Sequence, residues 1–321
     1  MKRLEDAARY AKVALAILLI AYLLLVILRD KAVVDIISSD KNWSALGAAA
    51  ICVTVTAMLT ICRWHMMLRA LGITPALSHT LTIGLYAYLI QAALGVVASD
   101  GVKSAEVISR WPTQKPAALL SVAVDRIVGL YSLMLLASTA ALFCNDDLVV
   151  LARHPVGLAA KALLLAIQLC TALVTAAAAG WIIAGSSKRV DAMAAELSHY
   201  RLFRNAMRLL DCLRQGPVHF VKAVAISMSV HLLCVLTFYF ASLGFSHSGP
   251  DLSSHFILVP LNMIANTLPV GGAELSMSLL YPIFAHASVP ATQGVVIALI
   301  LRAFQLIPAT LGFLVAFAKA R

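Results

Sequence analysis

The sequence has few charged residues. Only 12% of its 321 residues are Asp, Glu, Lys or Arg, and 61% are hydrophobic. A soluble domain carries about 25% charged residues, so this composition excludes an ordinary soluble fold and predicts a polytopic membrane protein. The longest polar interval, 186–217, is too short to form a separate soluble domain. We therefore expect one integral membrane domain over 1–321.

Several chemical signatures are missing as well. The six cysteines include no CxxC pair and the nine histidines no HxxxH or HExxH spacing, so neither a disulfide framework nor a metal site is expected. There is no GxxxxGK[ST] phosphate-binding loop, and no Ser-His-Asp or His-Glu arrangement at workable spacing. We expect no enzymatic activity and no cofactor, and any active transport must draw on an ion gradient or another protein.

Long apolar runs are abundant. The first run, 10–29, lacks a small-x-small cleavage site and is predicted to be an uncleaved membrane helix. The segments long enough to cross about 30 Å of hydrocarbon are 10–29, 43–62, 76–98, 117–144, 155–185, 218–244, 252–270, 273–289 and 291–318.

The distribution of Lys and Arg predicts the orientation of these segments. Cations cluster at both termini, after 43–62 (Arg63 and Arg69) and in 186–217, which indicates cytoplasmic positions, whereas 145–147 (NDD) has none. If 76–98 crossed the membrane fully, 145–147 would lie inside and the cation-rich segment 186–217 outside, which contradicts this rule. We therefore predict about six full transmembrane helices and two re-entrant hairpins, 76–116 from the cytoplasm and 252–290 from outside.

The two hairpins occupy similar surroundings, which predicts an inverted repeat. A first helix and external loop (1–42) precede a half-repeat at 43–144, and a linking helix with a basic segment (145–217) precedes a second at 218–321. Many secondary transporters have this architecture, with a site near the bilayer midplane. Gly101, Gly271 and Gly272 are predicted to permit tight turns of the backbone at the tips of the hairpins.

Two arginines lie deep in helices that follow the hairpins. Arg126 and Arg302 are expected roughly 14–17 Å from the start of their helices. A charge at such depth needs a partner, water or a ligand. Arg126 and its neighbour Asp125 point about 100° apart on a helix and are not expected to pair with each other. The candidate partners are the remaining ionisable residues of these segments, namely Asp100, Lys103, Asp125 and Glu274.

Two interpretations of these charges stay open. In the first, they form structural ion pairs that hold the hairpins to the helices. In the second, the arginines face a cavity and bind an anionic headgroup, because the planar guanidinium suits phosphate. Asn262 and Asn266, four residues apart on one face, are predicted to hydrogen-bond between helices or to line the same site. The segment 201–214 is predicted to be a basic amphipathic helix on the cytoplasmic leaflet.

Short motifs along nearly the whole chain resemble a known family. They are ICRWHMMLRALG, GVVASDGVKSAEVISR, SVAVDRIVGL, NTLPVGGAELSM and LRAFQLIPATLG. Together they resemble the lysylphosphatidylglycerol synthase transmembrane family, also called flippase-like. The chain departs from the family pattern at 99–103, where Ser-Asp-Gly and Lys103 stand in place of Gly-Gly-Asp and Arg.

The resemblance implies a stand-alone lipid translocase, without the aminoacyl transferase domain of the best-described members, in a bacterial cytoplasmic membrane with both termini inside. The implied ligand is an anionic, polyprenyl or isoprenoid-type lipid, hopanoids included. The implied partners are this lipid and a separate lipid-modifying enzyme, with no nucleic acid. A non-transporting scaffold for a lipid- or glycan-synthesis enzyme is the alternative, and a membrane enzyme acting on headgroups is less favoured.

Overall fold

A computed structural model describes residues 31–94, 96–184, 217–245, 249–266, 272–285 and 289–311. These parts of the chain are helical and contain no β-strand. Helices satisfy every backbone hydrogen bond within the segment, as hydrocarbon requires. The predicted first span 10–29, the basic segment 201–214 and Gly271 lie outside the described residues.

The described helices are numbered here in chain order. They are α1 Lys31–Ser38, α2 Trp43–Ala70, α3 Leu77–Leu94, α4 Val96–Arg110, α5 Lys115–Phe143, α6 Asn145–Ala152, α7 Pro155–Ala184, α8 Pro217–Phe245, α9 Leu252–Ala265, α10 Gly272–Phe284 and α11 Ala291–Phe304. Local signals account for several boundaries. Asn42 caps α2 by accepting a hydrogen bond from the backbone N–H of Ala45, and α5 carries a proline in its first turn.

Five helical segments are long and apolar enough to cross a membrane: Trp43–Ala70, Pro112–Phe143, Pro155–Gly180, Phe220–Phe245 and Ala291–Leu311. Each contains one of the predicted spans or most of its residues. The chain is a multi-pass membrane protein. The main difference is in α2, which continues to Ala70 and so holds Arg63 inside the helix. The prediction that Arg63 lies in a loop is wrong, because an ion pair described below lets the helix continue through this charge.

Two pairs of shorter helices lie between the long ones. The helices α3 and α4 pack against each other in the first half, and α9 and α10 do so in the second. None of these four belongs to the five candidate spans. The stretch VVASDGVKS, predicted as the turn or return limb of a hairpin, forms the first part of α4. Gly101 therefore has a helical position inside α4, and the prediction that it shapes the tip of the hairpin is wrong.

The long helices α2 and α8 pack along each other. The backbone N–H of Asn42 donates to the carbonyl of Gly244 at 3.2 Å. A Cβ atom at Gly244 would lie 2.4 Å from a methyl of Leu46, so the glycine permits this close approach. The largest buried apolar cluster joins α9, α10 and α11 to the short helix α6. It includes Leu151, Ile257, Met277, Tyr281 and Ile297.

Candidate functional site

Arg126 and Asp100 connect α5 to α4 through a two-point ion pair. The Nε of Arg126 donates to Oδ2 of Asp100 at 2.7 Å, and its Nη2 donates to Oδ1 at 2.6 Å. The side chains are 39% and 21% exposed respectively. Asp100 was one of the predicted partner candidates. Because the pair is partly exposed, the guanidinium can reach a ligand without unfolding the helices around it.

Asp125, the neighbour of Arg126, points to a different partner. Both of its carboxylate oxygens accept hydrogen bonds from Arg63 on α2, at 2.8 and 3.1 Å. Arg63 also donates from Nη1 to Oγ of Ser227 on α8, at 2.6 Å. The two charged side chains are only 5% and 3% exposed. This buried pair joins α2, α5 and α8 in the interior.

Gly129 makes room for this buried pair. It lies one turn after Asp125 on α5, and a Cβ atom there would lie 3.3 Å from both terminal nitrogens of Arg63. The sequence reasoning missed Arg63 because it ended the second span before the first charge. The available signal was Asp125 itself, a membrane-depth carboxylate with an unassigned partner.

Lys103 adds a third cation to this region. It lies one turn after Asp100 on α4, and its side chain is buried, at 3% residue exposure. Its Nζ is 5.4 Å from the ring centroid of the buried Trp64. No carboxylate among the described residues lies within ion-pair distance of it. Lys103 nevertheless interacts electrostatically with both aspartates and both arginines of the two pairs.

We call Arg63, Asp100, Lys103, Asp125 and Arg126 the first-half cluster. By formal charge it holds three cations and two carboxylates, which leaves one positive charge in excess. Four of these five residues were predicted as candidate site residues, Arg63 was predicted only as a loop cation, and the structure brings all five together. In a region of low dielectric constant an excess cation attracts an anion more strongly than in water.

The second half has a single ion pair at the position that corresponds to the Arg126–Asp100 pair. Nη2 of Arg302 on α11 lies 2.9 Å from Oε1 of Glu274 on α10, and the side chains are 27% and 15% exposed. Arg126 is the twelfth residue of α5, and Arg302 is the twelfth residue of α11. In each half the carboxylate comes from the second helix of the preceding pair. Glu274 was a predicted partner candidate.

The remaining predicted residues belong to the second helix pair. The side-chain amide of Asn262 is buried in α9 and donates to the carbonyl of Ala273 at 2.8 Å, which joins α9 to α10. Asn266 caps the end of α9, and its backbone N–H donates to the carbonyl of Asn262. Gly272 is buried at the start of α10. Asn262 therefore makes the predicted interhelical hydrogen bond.

An apolar groove of about 290 Å³ lies beside this second pair, between α7, α9 and α10. Its lining on α10 shares one helix face and consists of Gly272, Leu275, Ser276, Leu279 and Leu280. Glu274 is not among the lining residues. The groove and the Glu274–Arg302 pair therefore lie on different sides of α10.

Comparison with known families agrees with these motifs. Residues 13–312 match the family described as Lysylphosphatidylglycerol synthase TM region. The chain belongs to this family. The match covers nearly the whole chain, which confirms the resemblance found in the sequence, and it is compatible with a lipid-related role in the membrane. No curated protein matches the chain.

Proposed function

We propose that this family member binds a lipid with an anionic headgroup and moves it between the leaflets of the membrane. The observation that carries the proposal is the first-half cluster, in which a partly exposed arginine lies beside an excess cation. A phosphate group carries two or more acceptor oxygens that match the planar fork of Arg126, as the carboxylate of Asp100 does. The polyprenyl and isoprenoid-type lipids, hopanoids included, belong to the proposal where they carry such a headgroup.

The proposed mechanism is an exchange of partners at Arg126. In the ligand-free state Asp100 occupies the Nε and Nη2 positions of the guanidinium. An entering phosphate takes these positions, and Lys103 compensates the added negative charge. The Arg63–Asp125 pair stays closed throughout and keeps α2, α5 and α8 in place. The hydrocarbon chains of the lipid stay in the apolar surroundings, so only the headgroup requires a polar path.

The proposed architecture is six full spans with two re-entrant helix pairs in an inverted repeat. Each half has a long helix, a helix pair and another long helix, with a carboxylate and an arginine at corresponding places. The half-repeats are 43–144 and 218–321. This arrangement supports alternating access, in which one half moves against the other around a site near the midplane. The convergence of Arg126 and Arg302 on one cavity stays a prediction.

The proposed location is a bacterial cytoplasmic membrane with both termini inside. The Lys and Arg distribution supports it, because cations accumulate in cytoplasmic loops. Single cysteines introduced at position 190 and at Asp146, in a variant whose six native cysteines are replaced, test the orientation by labelling intact cells with a membrane-impermeant reagent. We expect labelling at 146 only, and labelling at 190 from outside would refute the orientation.

The transport activity is tested with the purified chain alone. The protein is reconstituted into vesicles with fluorescent phosphatidylglycerol, and dithionite quenching reports lipid that has moved between leaflets. We expect the chain to accelerate this movement without ATP. A lipid-binding scaffold gives binding without movement, which separates the alternative function from transport.

Arg126→Ala should abolish the binding and movement of the lipid, and Arg126→Lys should restore little, because an ammonium cannot make the two-point contact. The matched control is Arg110→Ala, at the exposed end of α4. Thermal denaturation is measured for each variant in detergent. A well-folded Arg126→Ala protein with unchanged lipid binding would contradict the proposal.

A further inference from the structure

The described helices leave a second apolar groove, of about 260 Å³, between the two half-repeats. It is lined by Ala50, Ile51, Thr54 and Val55 on α2 and by Ile307 just beyond α11. Ile51 is 66% exposed and Val55 is 40% exposed. Both α2 and α11 pack against α8. The groove therefore lies between a helix of the first half and the end of the last helix of the second half.

The chain reaches the described bundle beside these same two helices. The helix α1 packs mainly on α11, and only the residues 39–42 separate its end from the start of α2. The helix α1 therefore connects the N-terminal end of α2 to α11. The predicted first span, 10–29, lies outside the described residues and ends directly before α1. Its last residues must therefore arrive at this junction.

The first span has a suitable length and suitable side chains for the groove. As a helix, 10–29 extends about 30 Å, which matches the thickness of the hydrocarbon. It arrives where α2 begins, so it runs antiparallel to α2. Ala14, Leu18 and Ala21 share one face of this helix. Small residues let membrane helices approach closely, and the groove presents Ala50 and Thr54 on α2.

We infer that the first span, 10–29, occupies the groove between α2 and α11, with the face of Ala14, Leu18 and Ala21 towards α2. It covers the exposed side chains of Ile51 and Val55. It also contacts both half-repeats, although it belongs to neither. Lipid chains and a second copy of the protein are the competing occupants of this groove, and cross-linking separates the three.

The helical rise predicts which residues meet. Counted from Arg29 and from Trp43 respectively, Ala21 and Ile51 each lie about 12 Å along their helices. Leu18 and Val55 lie about 17–18 Å along them. A disulfide requires Cα atoms about 4.4–6.8 Å apart. We therefore expect a disulfide in the variant Leu18→Cys with Val55→Cys, and another in the variant Ala21→Cys with Ile51→Cys.

The test uses the full-length chain with its six native cysteines replaced and a protease site inserted between Ser39 and Asp40, which are both exposed. Each cysteine pair is oxidised in isolated membranes with copper phenanthroline, and the chain is then cleaved. Electrophoresis without reductant shows whether the N-terminal fragment stays attached. We expect both pairs to retain most of the fragment, and we expect a reductant to release it.

Two matched controls test the face and the groove. Ile20→Cys with Val55→Cys places a cysteine on the opposite side of the first span, since positions 18 and 20 point about 200° apart. Leu18→Cys with Leu163→Cys tests the other groove, which Leu163 lines. We expect both controls to release the fragment. Thermal denaturation in detergent verifies that every variant folds.

The other outcomes overturn this placement. Release of the fragment from both expected pairs in folded protein would leave the groove to lipid chains. Retention through Leu163 instead would place the first span between α7, α9 and α10. A cross-link between two chains through Val55, without retention of the fragment, would assign the groove to a second copy. Equal retention through Leu18 and Ile20 would refute the proposed face.

Discussion

The two halves of the molecule place an arginine at the same position of the helix that follows each helix pair, yet the surroundings of the two arginines differ. In the first half Asp125 precedes Arg126, and this carboxylate pairs with Arg63 across the bundle. In the second half the residue before Arg302 is Leu301, which is buried in the apolar cluster. Lys103 adds a cation to the first half only. The shared geometry thus supports a cation-rich site in one half and a single ion pair in the other.

The comparison also separates buried from partly exposed charge. Asp125 and Arg126 are adjacent in sequence, but one lies in a buried pair and the other in a partly exposed pair. The helix directs the two side chains about 100° apart, which allows one residue to stabilise the bundle and the next to face a ligand. Four predictions, from the largest expected effect to the smallest, test these differences.

The largest effect is expected for the buried pair. Arg63→Ala or Asp125→Ala leaves an uncompensated charge in the interior and should destabilise the protein by about 3–5 kcal/mol. The measurement is the abundance in the membrane together with thermal denaturation in detergent. The double variant Arg63→Met with Asp125→Leu should recover much of the loss. Asp100→Ala, in the partly exposed pair, should cost clearly less, and an equal cost would erase the distinction between the two pairs.

The next largest effect concerns the packing of the second half. Gly294 is the fourth residue of α11, and a Cβ atom there would lie 2.3 Å from the carbonyl oxygen of Met277 on α10. Gly294→Ala should destabilise the protein by about 1–3 kcal/mol through overpacking. The fourth residue of α5 is Ala118, which is fully buried and shows that the first half accommodates this methyl. Unchanged thermal stability of Gly294→Ala would contradict the tighter packing of the second half.

A smaller effect is expected from removing the excess cation. Lys103→Met should lower the affinity for phosphatidylglycerol, titrated into the purified chain in detergent, about tenfold, since the first-half cluster becomes neutral by formal charge. The thermal stability should stay equal or rise, because Lys103 has no carboxylate at ion-pair distance among the described residues. Lys115→Met, at the exposed start of α5, is the matched control. A fall in stability without a change in affinity would assign Lys103 a purely structural role.

The smallest effect is expected at Gly101. This glycine lies inside α4, and a Cβ atom there would have no neighbour within 4 Å. Gly101→Ala should raise the stability by up to about 1 kcal/mol through helix propensity and leave lipid binding unchanged. Thermal denaturation measures the stability, and titration of phosphatidylglycerol into the purified chain in detergent measures the binding. A loss of lipid binding would show that the ligand approaches the backbone at this position.

Much of the architecture follows from the sequence alone. Apolar length predicts the long helices, since a segment in hydrocarbon must satisfy its own backbone. The family motifs identify Asp100, Arg126, Glu274 and Arg302, and their charge at membrane depth requires partners. The sequence also indicates that Asp125 and Arg126 do not pair with each other, because the angle between neighbouring side chains on a helix is constant.

Only the tertiary structure decides which charge meets which. Arg63 follows the second predicted span directly and resembles a loop cation, and it becomes a buried partner because α2 lies against α5 and α8. Lys103 and Glu274 are ordinary charged residues in the sequence. Among the described residues, packing leaves Lys103 without a carboxylate at ion-pair distance. It leaves the oxygens of Glu274 without a hydrogen bond, although Arg302 lies 2.9 Å away. Local pattern cannot determine these outcomes, because the direction and distance of a partner on another helix depend on how the helices pack.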